Sequence, residues 1–385
     1  MDLSLTREQH ELIKSVQEMV DQDIKPFALK GSKPFALKGS SKYKEKMLLA
    51  MARMNLLCPT VPQEYGGLGL DLFSTALVVE ELAAASPGMA AIVAATLHAA
   101  EPILLAGTEQ QKSEFLPLLT GAHGGSAAFA LTESAGGSDL NNIASYAEAV
   151  PDGYLLNGSK DYMINAGMAR FISVVAAIDN RGKKSSLRIF LVPGSAAGIV
   201  TEEIYQTSGI NLTSVGRVKF DDVHIMDQQV VKSREAGSGY LLLTQTFDVG
   251  RALVGALAVG IARAALEQAL DFADNRLQSG TPIKKHQAVA FTLADMATDI
   301  EMARLMTWKA CWLIDQGGDY SVASAMAKLA SSSMAQRVTC SAADILGARG
   351  YLHGTLIEQL VRDARVLSTI EGTNHIQRLL ISSQL

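Results

Sequence analysis

The residue most able to do chemistry in this sequence is a glutamate in the run Ser368-Thr-Ile-Glu-Gly-Thr-Asn-His-Ile-Gln-Arg378. Ser368 and Glu371 have the spacing of a capping box, but Gly372 follows at once and no apolar helical run begins before Ile376. Thr373 is the better helix cap, which leaves Glu371 on a loop just ahead of a helix. A carboxylate there, flanked by Ile370 and a glycine, can be partly desolvated and act as a general base. An ordinary loop carboxylate is the other reading, and the residues alone leave both open.

A second run, Phe129-Ala-Leu-Thr-Glu-Ser-Ala-Gly-Gly-Ser-Asp139, is built of small residues. Its backbone N–H groups can approach an anionic or carbonyl-rich ligand, with the Thr132 and Ser138 hydroxyls as further donors. The same composition also makes a surface turn. Phe247-Asp-Val-Gly-Arg251 heads a long apolar stretch, where Arg251 is either a solvated charge or a group that orients a substrate. Arg276 with Gly280, Pro282 and Gln287, and Leu346-Gly-Ala-Arg-Gly-Tyr351 with Arg362-Asp363, read first as helix ends and turns. His98, His224 and His286 lack ligand spacing, so no metal site is expected.

Three zones must hold these runs. From Leu5 to about Gly125 the apolar period is helical, as in Leu12, Ile13, Val16, Met19 and Val20. From Ser126 the punctuation changes to Pro151-Asp-Gly153 and Asn157-Gly158, both expected as hairpin turns. Short strand-like runs surround them, including Tyr154-Leu-Leu156, Phe171 to Val175 and Arg188 to Val192. From about Gly237 the helical period returns, with Gly255, Gly260 and Ala264 permitting close helix approach. The expected domains are 1–125, 126–232 and 233–385, the two helical zones sharing one core. Lys25-Pro-Phe-Ala-Leu-Lys-Gly-Ser32 is repeated at once as Lys33 to Ser40; a functional basic patch is one reading, and a tolerated duplication is the favoured one, since one continuous helix could not bury both copies in the same way.

Composition narrows the function classes. The chain has 385 residues, 34 basic and 39 acidic, and 48% are hydrophobic. That excludes disorder and argues against nucleic acid, which needs clustered Lys and Arg. Cys58, Cys311 and Cys340 are too far apart for a CxxC-type site and odd in number. Leu82 to Ala100 carries no formal charge but is Ala-rich and interrupted at Pro87-Gly88, so it is expected as a buried helix rather than a membrane span. The start Met1-Asp-Leu-Ser4 has no export pattern, and a cytoplasmic location is expected.

In this order the runs resemble the acyl-CoA dehydrogenase family of flavoproteins. The resemblance rests on Pro62-Gln-Glu-Tyr-Gly-Gly-Leu-Gly69, Ala130-Leu-Thr-Glu…Gly-Ser-Asp139, Asn157-Gly-Ser-Lys160, Gly260-Ile-Ala-Arg-Ala-Ala-Leu-Glu267 and Ile370-Glu-Gly-Thr373, and it covers nearly the whole chain. It implies an α+β, mainly α fold: a helical N-terminal domain, a middle β domain and a C-terminal four-helix bundle. It implies FAD, an acyl-CoA or carrier-borne acyl thioester as substrate, an electron-transfer flavoprotein as acceptor, and a homotetramer or homodimer. Glu371 would take the α proton while the β hydrogen leaves as hydride to flavin N5. The enolate would be steadied by a flavin ribityl hydroxyl and the Glu371 backbone N–H.

By the same resemblance, Leu131, Thr132, Gly137, Ser138, Thr373 and His375 contact the cofactor, with Ser138, Phe247, Asp248, Arg251 and Gly372 at the substrate. Arg276, Gln287, Asp344 and Gly347 reach FAD across a subunit boundary. Several positions depart from the family pattern. Tyr162 replaces a Trp that screens the flavin and Ile164 replaces a hydroxyl that bonds N5. Ser279 replaces an aromatic, Asp344 a Gln, Ala348 a Gly and Asn211 an Arg. These changes bear on flavin tuning and keep three rivals in view: a carrier-protein substrate, an enoyl reductase, or a silent acyl-thioester binder.

Overall fold

The computed structural model describes residues 4–31, 40–178, 186–232 and 239–385. The second copy of the duplicated segment falls almost wholly outside them. In the first copy, Phe27 stacks on Tyr43 at 5.6 Å between ring centroids.

Helices come first. α1 (Arg7–Met19) starts at a capping box in which Thr6 accepts from Gln9 N and the Gln9 side chain answers Thr6 N. It runs through a π-turn (Val20–Ile24) into α2 (Lys25–Gly31), followed by α3 (Ser40–Arg53). The uncharged stretch expected as one buried helix is two. α4 (Leu72–Ala85) ends at Ser86, which is extended, and α5 (Pro87–Ala106) restarts with Pro87 in its first turn. Proline cannot continue a helix it follows but suits the first turn of the next. α6 (Glu109–Phe115) closes the zone behind a second capping box.

The middle of the chain forms an eight-stranded sheet in the order β6-β7-β3-β2-β4-β5-β8, with β1 (Ala128–Ala130) pairing in parallel with β4. The strands are β2 (Tyr146–Val150), β3 (Gly153–Ile164), β4 (Phe171–Ile178), β5 (Leu187–Pro193), β6 (Ile199–Ile204), β7 (Val215–Met226) and β8 (Val230–Val231). Pro151-Asp152 makes the β2–β3 hairpin as expected. Asn157-Gly158 does not turn. It lies inside β3 at a register shift against β7, where the Asn157 amide donates to Asp222 Oδ1 at 2.8 Å and accepts from Asp222 N at 2.9 Å. The side chain that would have closed a hairpin instead ties a bulge to the next strand.

The chain then returns to helices: α7 (Gly239–Asn275), a small hairpin of β9 (Leu277–Gln278) and β10 (Thr281–Pro282), α8 (Gln287–Asp315), α9 (Ser321–Leu346), α10 (Leu356–Arg365) and α11 (Asn374–Ser382). One apolar core joins the two helical zones, with Val16, Leu82, Val93, Leu253 and Val338 among its members. A second core, including Leu156, Phe190 and Phe220, belongs to the sheet. α4 seats on α7 at Gly260, where a Cβ would come within 2.4 Å of the Glu80 carbonyl oxygen. Arg263 clamps Glu81 with two bonds of 2.7 and 2.8 Å across the same contact. α5 and α7 are long and apolar enough to cross a membrane, yet 67% and 89% of their most apolar windows are buried inside the fold.

Candidate active site

Glu371 sits on the loop before α11, as its local sequence predicts. Thr373 caps the helix, its hydroxyl accepting from Ile376 N at 3.3 Å. The loop turns sharply: Glu371 and Gly372 are both left-handed, at φ 52° and 79°. Such a conformation is costly for a residue with a Cβ, so surrounding contacts must enforce it. Gln377 Nε2 donates to the carbonyl oxygens of both Glu371 and Gly372 at 3.0 Å. Lys328 Nζ, from α9, donates to Gly372 O at 2.8 Å and Asn374 Oδ1 at 2.9 Å, and Ser332 Oγ adds a bond to Asn374 Oδ1 at 3.0 Å. Lys328 is fully buried. Desolvation pulls its ammonium down to about 8, a shift that the Glu371 charge opposes.

The carboxylate of Glu371 faces His98 of α5 and Gly250 of α7. His98 Nδ1 lies 2.8 Å from Glu371 Oε1. The approach is not aligned as a hydrogen bond, and both His98 ring nitrogens and Glu371 Oε2 are buried without a hydrogen-bond partner among the described residues. The His98 ring stands 4.3 Å from that of Phe129 and edge-on to Phe247 at 5.2 Å. Gly250 supplies the room, since a Cβ there would meet both Glu371 Oε2 and His98 Nδ1 at 2.8 Å. Helix backbone cannot move aside cheaply, so Gly250→Ala is expected to displace the carboxylate. We expect turnover about 100-fold lower with cofactor content unchanged, measured by steady-state kinetics and visible absorbance; unaltered turnover would show that the carboxylate's position is not critical.

Next to Gly250 on α7, Arg251 Nη1 donates to Asp248 Oδ1 one turn back, and both side chains are buried. Ser321 Oγ donates to the same oxygen at 3.3 Å. Burial raises the Asp248 carboxyl above its usual range, against the pull of Arg251. The Arg251 guanidinium also lies 5.7 Å from the Phe247 ring centroid. Glu371, Gly372, Phe247, Asp248 and Arg251, chosen from separated runs, therefore share one locality.

β1 carries Phe129 against His98, the residue facing the carboxylate, and leads directly into Leu131 and Thr132 of the glycine-rich loop. Buried polar contacts hold this loop from below. Asp161 N donates to Thr132 O at 2.7 Å, and Ser134 Oγ, Tyr205 Oη and Arg217 Nη2 all donate to the Asp161 carboxylate. Lys160 Nζ donates to Leu131 O at 3.0 Å and Glu133 Oε1 at 2.8 Å. Glu133 in turn accepts from Ala144 N and Ser145 N. With the underside fixed, Ser134 to Asp139 face outward. The Thr132 and Ser138 hydroxyls with exposed backbone donors form a set suited to the carbonyls and phosphates of FAD, which the resemblance implies. Tyr162 stands beside them, 64% exposed at a bulge in β3 and left-handed at φ 53°. The donor chemistry fits the flavin nucleotide.

Other residues assigned to the cofactor lie elsewhere in the same chain. Arg276 follows the far end of α7, about 39 Å along the axis from Gly250 at 1.5 Å per residue. Asp344 and Gly347 end α9 at that same far end, where Arg349 covers the ring of Phe272 at 5.6 Å. Arg276, Gln287, Asp344 and Gly347 are all exposed there, so one chain does not bring them to its own Glu371. Thr373 is occupied as a cap, and His375 is exposed in the first turn of α11. Sequence reading missed His98, Gly250 and Lys328 as site residues. For His98 and Lys328 the available signal was an ionisable side chain set among small and apolar neighbours, at Leu97-His98-Ala99 and Ala327-Lys328-Leu329.

Comparison with known proteins matches three consecutive families over nearly all of this chain. They are described as acyl-CoA dehydrogenase N-terminal domain (residues 6–123), middle domain (128–223) and C-terminal domain (237–385). The chain is 36% identical over 389 residues, all of both proteins, to the probable acyl-CoA dehydrogenase YngJ of Bacillus subtilis strain 168. The butyryl-CoA dehydrogenase of Megasphaera elsdenii is similar in structure, with TM-score 0.91 and 31% identity over 100% of this chain and 99% of that one. The prolyl acyl carrier protein oxidase AnaB superposes at TM-score 0.91 with 27% identity, covering 99% of each chain.

Proposed function

Because this chain belongs to the acyl-CoA dehydrogenase family, whose members are flavin-dependent oxidoreductases, we propose that it removes the α and β hydrogens of a short acyl-CoA thioester. Glu371 is the base. The observation that carries this reading is the Glu371 carboxylate, held in a left-handed loop against His98, which packs on Phe129 ahead of the glycine-rich loop, and against Gly250, the neighbour of Arg251 in the Asp248–Arg251 pair.

The α proton of a thioester is weakly acidic, so its removal needs a fixed carboxylate shielded from bulk water. Gln377 and Lys328 fix the loop through its carbonyls, and the His98, Phe129 and Phe247 rings exclude water on the other side. Bound FAD would accept the β hydrogen with its electron pair. Leu131, Thr132, Gly137, Ser138, Thr373 and His375 would hold that cofactor from one subunit. Arg276, Gln287, Asp344 and Gly347 would hold it from a neighbouring copy, which makes the working assembly a homotetramer or homodimer. Similarity to butyryl-CoA dehydrogenase supports a short acyl group. Likeness to a carrier-protein oxidase gives the second reading, in which the thioester is borne on a carrier protein. An electron-transfer flavoprotein is the proposed acceptor.

The test is an anaerobic visible spectrum of the purified holoenzyme titrated with short, long, branched and aromatic acyl-CoAs. We expect the flavin band to bleach with short unbranched acyl-CoA. A yellow protein bleached only by acyl-carrier thioesters would transfer the assignment to the second reading. A colourless protein that cannot be loaded with FAD would overturn both.

A further inference from the structure

We propose that His98 is a positioning residue for the base, holding the Glu371 carboxylate in place and biasing it toward its charged form. The inference rests on the assignment of Glu371 as base and adds a second titratable group to it. His98 stands on α5, a helix whose charged and polar positions are few, and its ring is 2% exposed. A buried imidazole ordinarily finds a hydrogen-bond partner, because leaving both nitrogens unpaired costs free energy. Here neither nitrogen has a hydrogen-bond partner within the described fold, and Glu371 Oε1 lies 2.8 Å from Nδ1. A small rotation of the carboxylate converts that contact into an N–H···O⁻ bond.

The surroundings favour this pairing over a purely packed ring. Phe129 and Phe247 hold the imidazole on two sides and offer it no acceptor. Gly250 keeps the third side open to Glu371. The charged groups packed around the pair are Arg251 and Asp248 on α7, which engage each other, and Lys328 on α9, which engages Gly372 O and Asn374. Glu101, one turn further along α5, is buried nearby and is pushed up to about 7, chiefly by desolvation and also by Asp315. None of these takes a His98 nitrogen. A donor facing a carboxylate stabilises its charged form, so the base would stay ionised to lower pH with His98 present.

The test compares native holoenzyme with His98→Leu, His98→Asn and Glu371→Gln. In protein carrying 13C-labelled histidine, the His98 resonance is followed against pH by NMR. We expect its midpoint to fall by at least one pH unit in Glu371→Gln, because the anionic partner is gone. An unmoved midpoint would overturn the pairing whatever the substrate proves to be. In anaerobic stopped flow with the acyl thioester that bleaches the native flavin, His98→Leu should reduce it at least 10-fold more slowly, with the acid limb moved to higher pH. His98→Asn, which keeps an N–H donor, should recover most of both. Equal rates and equal pH profiles in Leu and Asn variants would show that His98 only fills space. If His98→Leu fails to hold FAD, the Asn variant decides: a native-like acid limb supports the proposal and a full-unit shift overturns it. Failure of native protein to bleach at all tests Glu371's assignment separately, since the NMR titration needs no turnover.

Discussion

Glu371→Gln should abolish flavin reduction by acyl thioester, with a rate loss of about 10⁴-fold, the upper range for removal of a general base. Glutamine keeps the side-chain volume and the left-handed backbone that Gln377 and Lys328 enforce through main-chain oxygens. FAD content and ligand binding should therefore be native, read by absorbance and by spectral perturbation with a non-reducible acyl-CoA analogue. A variant that still reduces its flavin at the native rate would move the base to another group. Of the other carboxylates nearby, Asp248 is already engaged by Arg251 and Ser321, and Glu101 stands one turn from His98 on α5.

Lys160→Met should be strongly destabilising. Lys160 is fully buried under the glycine-rich loop and pairs with Glu133, which is 7% exposed. Desolvation would raise the Glu133 carboxyl, but Lys160 and the Ala144 and Ser145 amides hold it below its usual range. Removing one member of such a buried pair leaves an uncompensated charge and costs about 3–5 kcal/mol. The Leu131 carbonyl loses its donor at the same time, so the loop proposed to hold FAD should loosen. Thermal melting and FAD retention after gel filtration measure the two effects. Glu133→Gln in the same chain should recover part of the stability, since a neutral amide leaves no buried charge. Native melting in the single variant would show that the pair contributes nothing. The sign with pH follows from the depressed Glu133 carboxyl: its contribution is complete above the unfolded-state value and is lost as pH falls through the folded one.

Positions whose structure is set by near neighbours in the chain were legible in the sequence. Thr373 caps α11 because its hydroxyl serves an amide three residues on, and that spacing is visible in a string of letters. The alternation of helix, sheet and helix was legible from periodicity and turn residues for the same reason. Asn157-Gly158 shows the limit, since a turn-forming pair became a bulge once Asp222 on β7 was available to the Asn157 amide.

The sequence by itself determined the three-zone architecture, the loop placement of Glu371 and, through ordered motifs, the family. Only the tertiary structure decided what surrounds the carboxylate. His98 reads as a lone histidine in an apolar helix until α5 and α7 cross, and Lys328 as one cation among alanines until α9 meets the Gly372 carbonyl. It also decided which assigned residues can act together within one chain, since α7 and α9 carry Arg276 and Gly347 away from the base. Burial, close approach and partner choice arise from packing between elements far apart in the chain, and no local pattern encodes them.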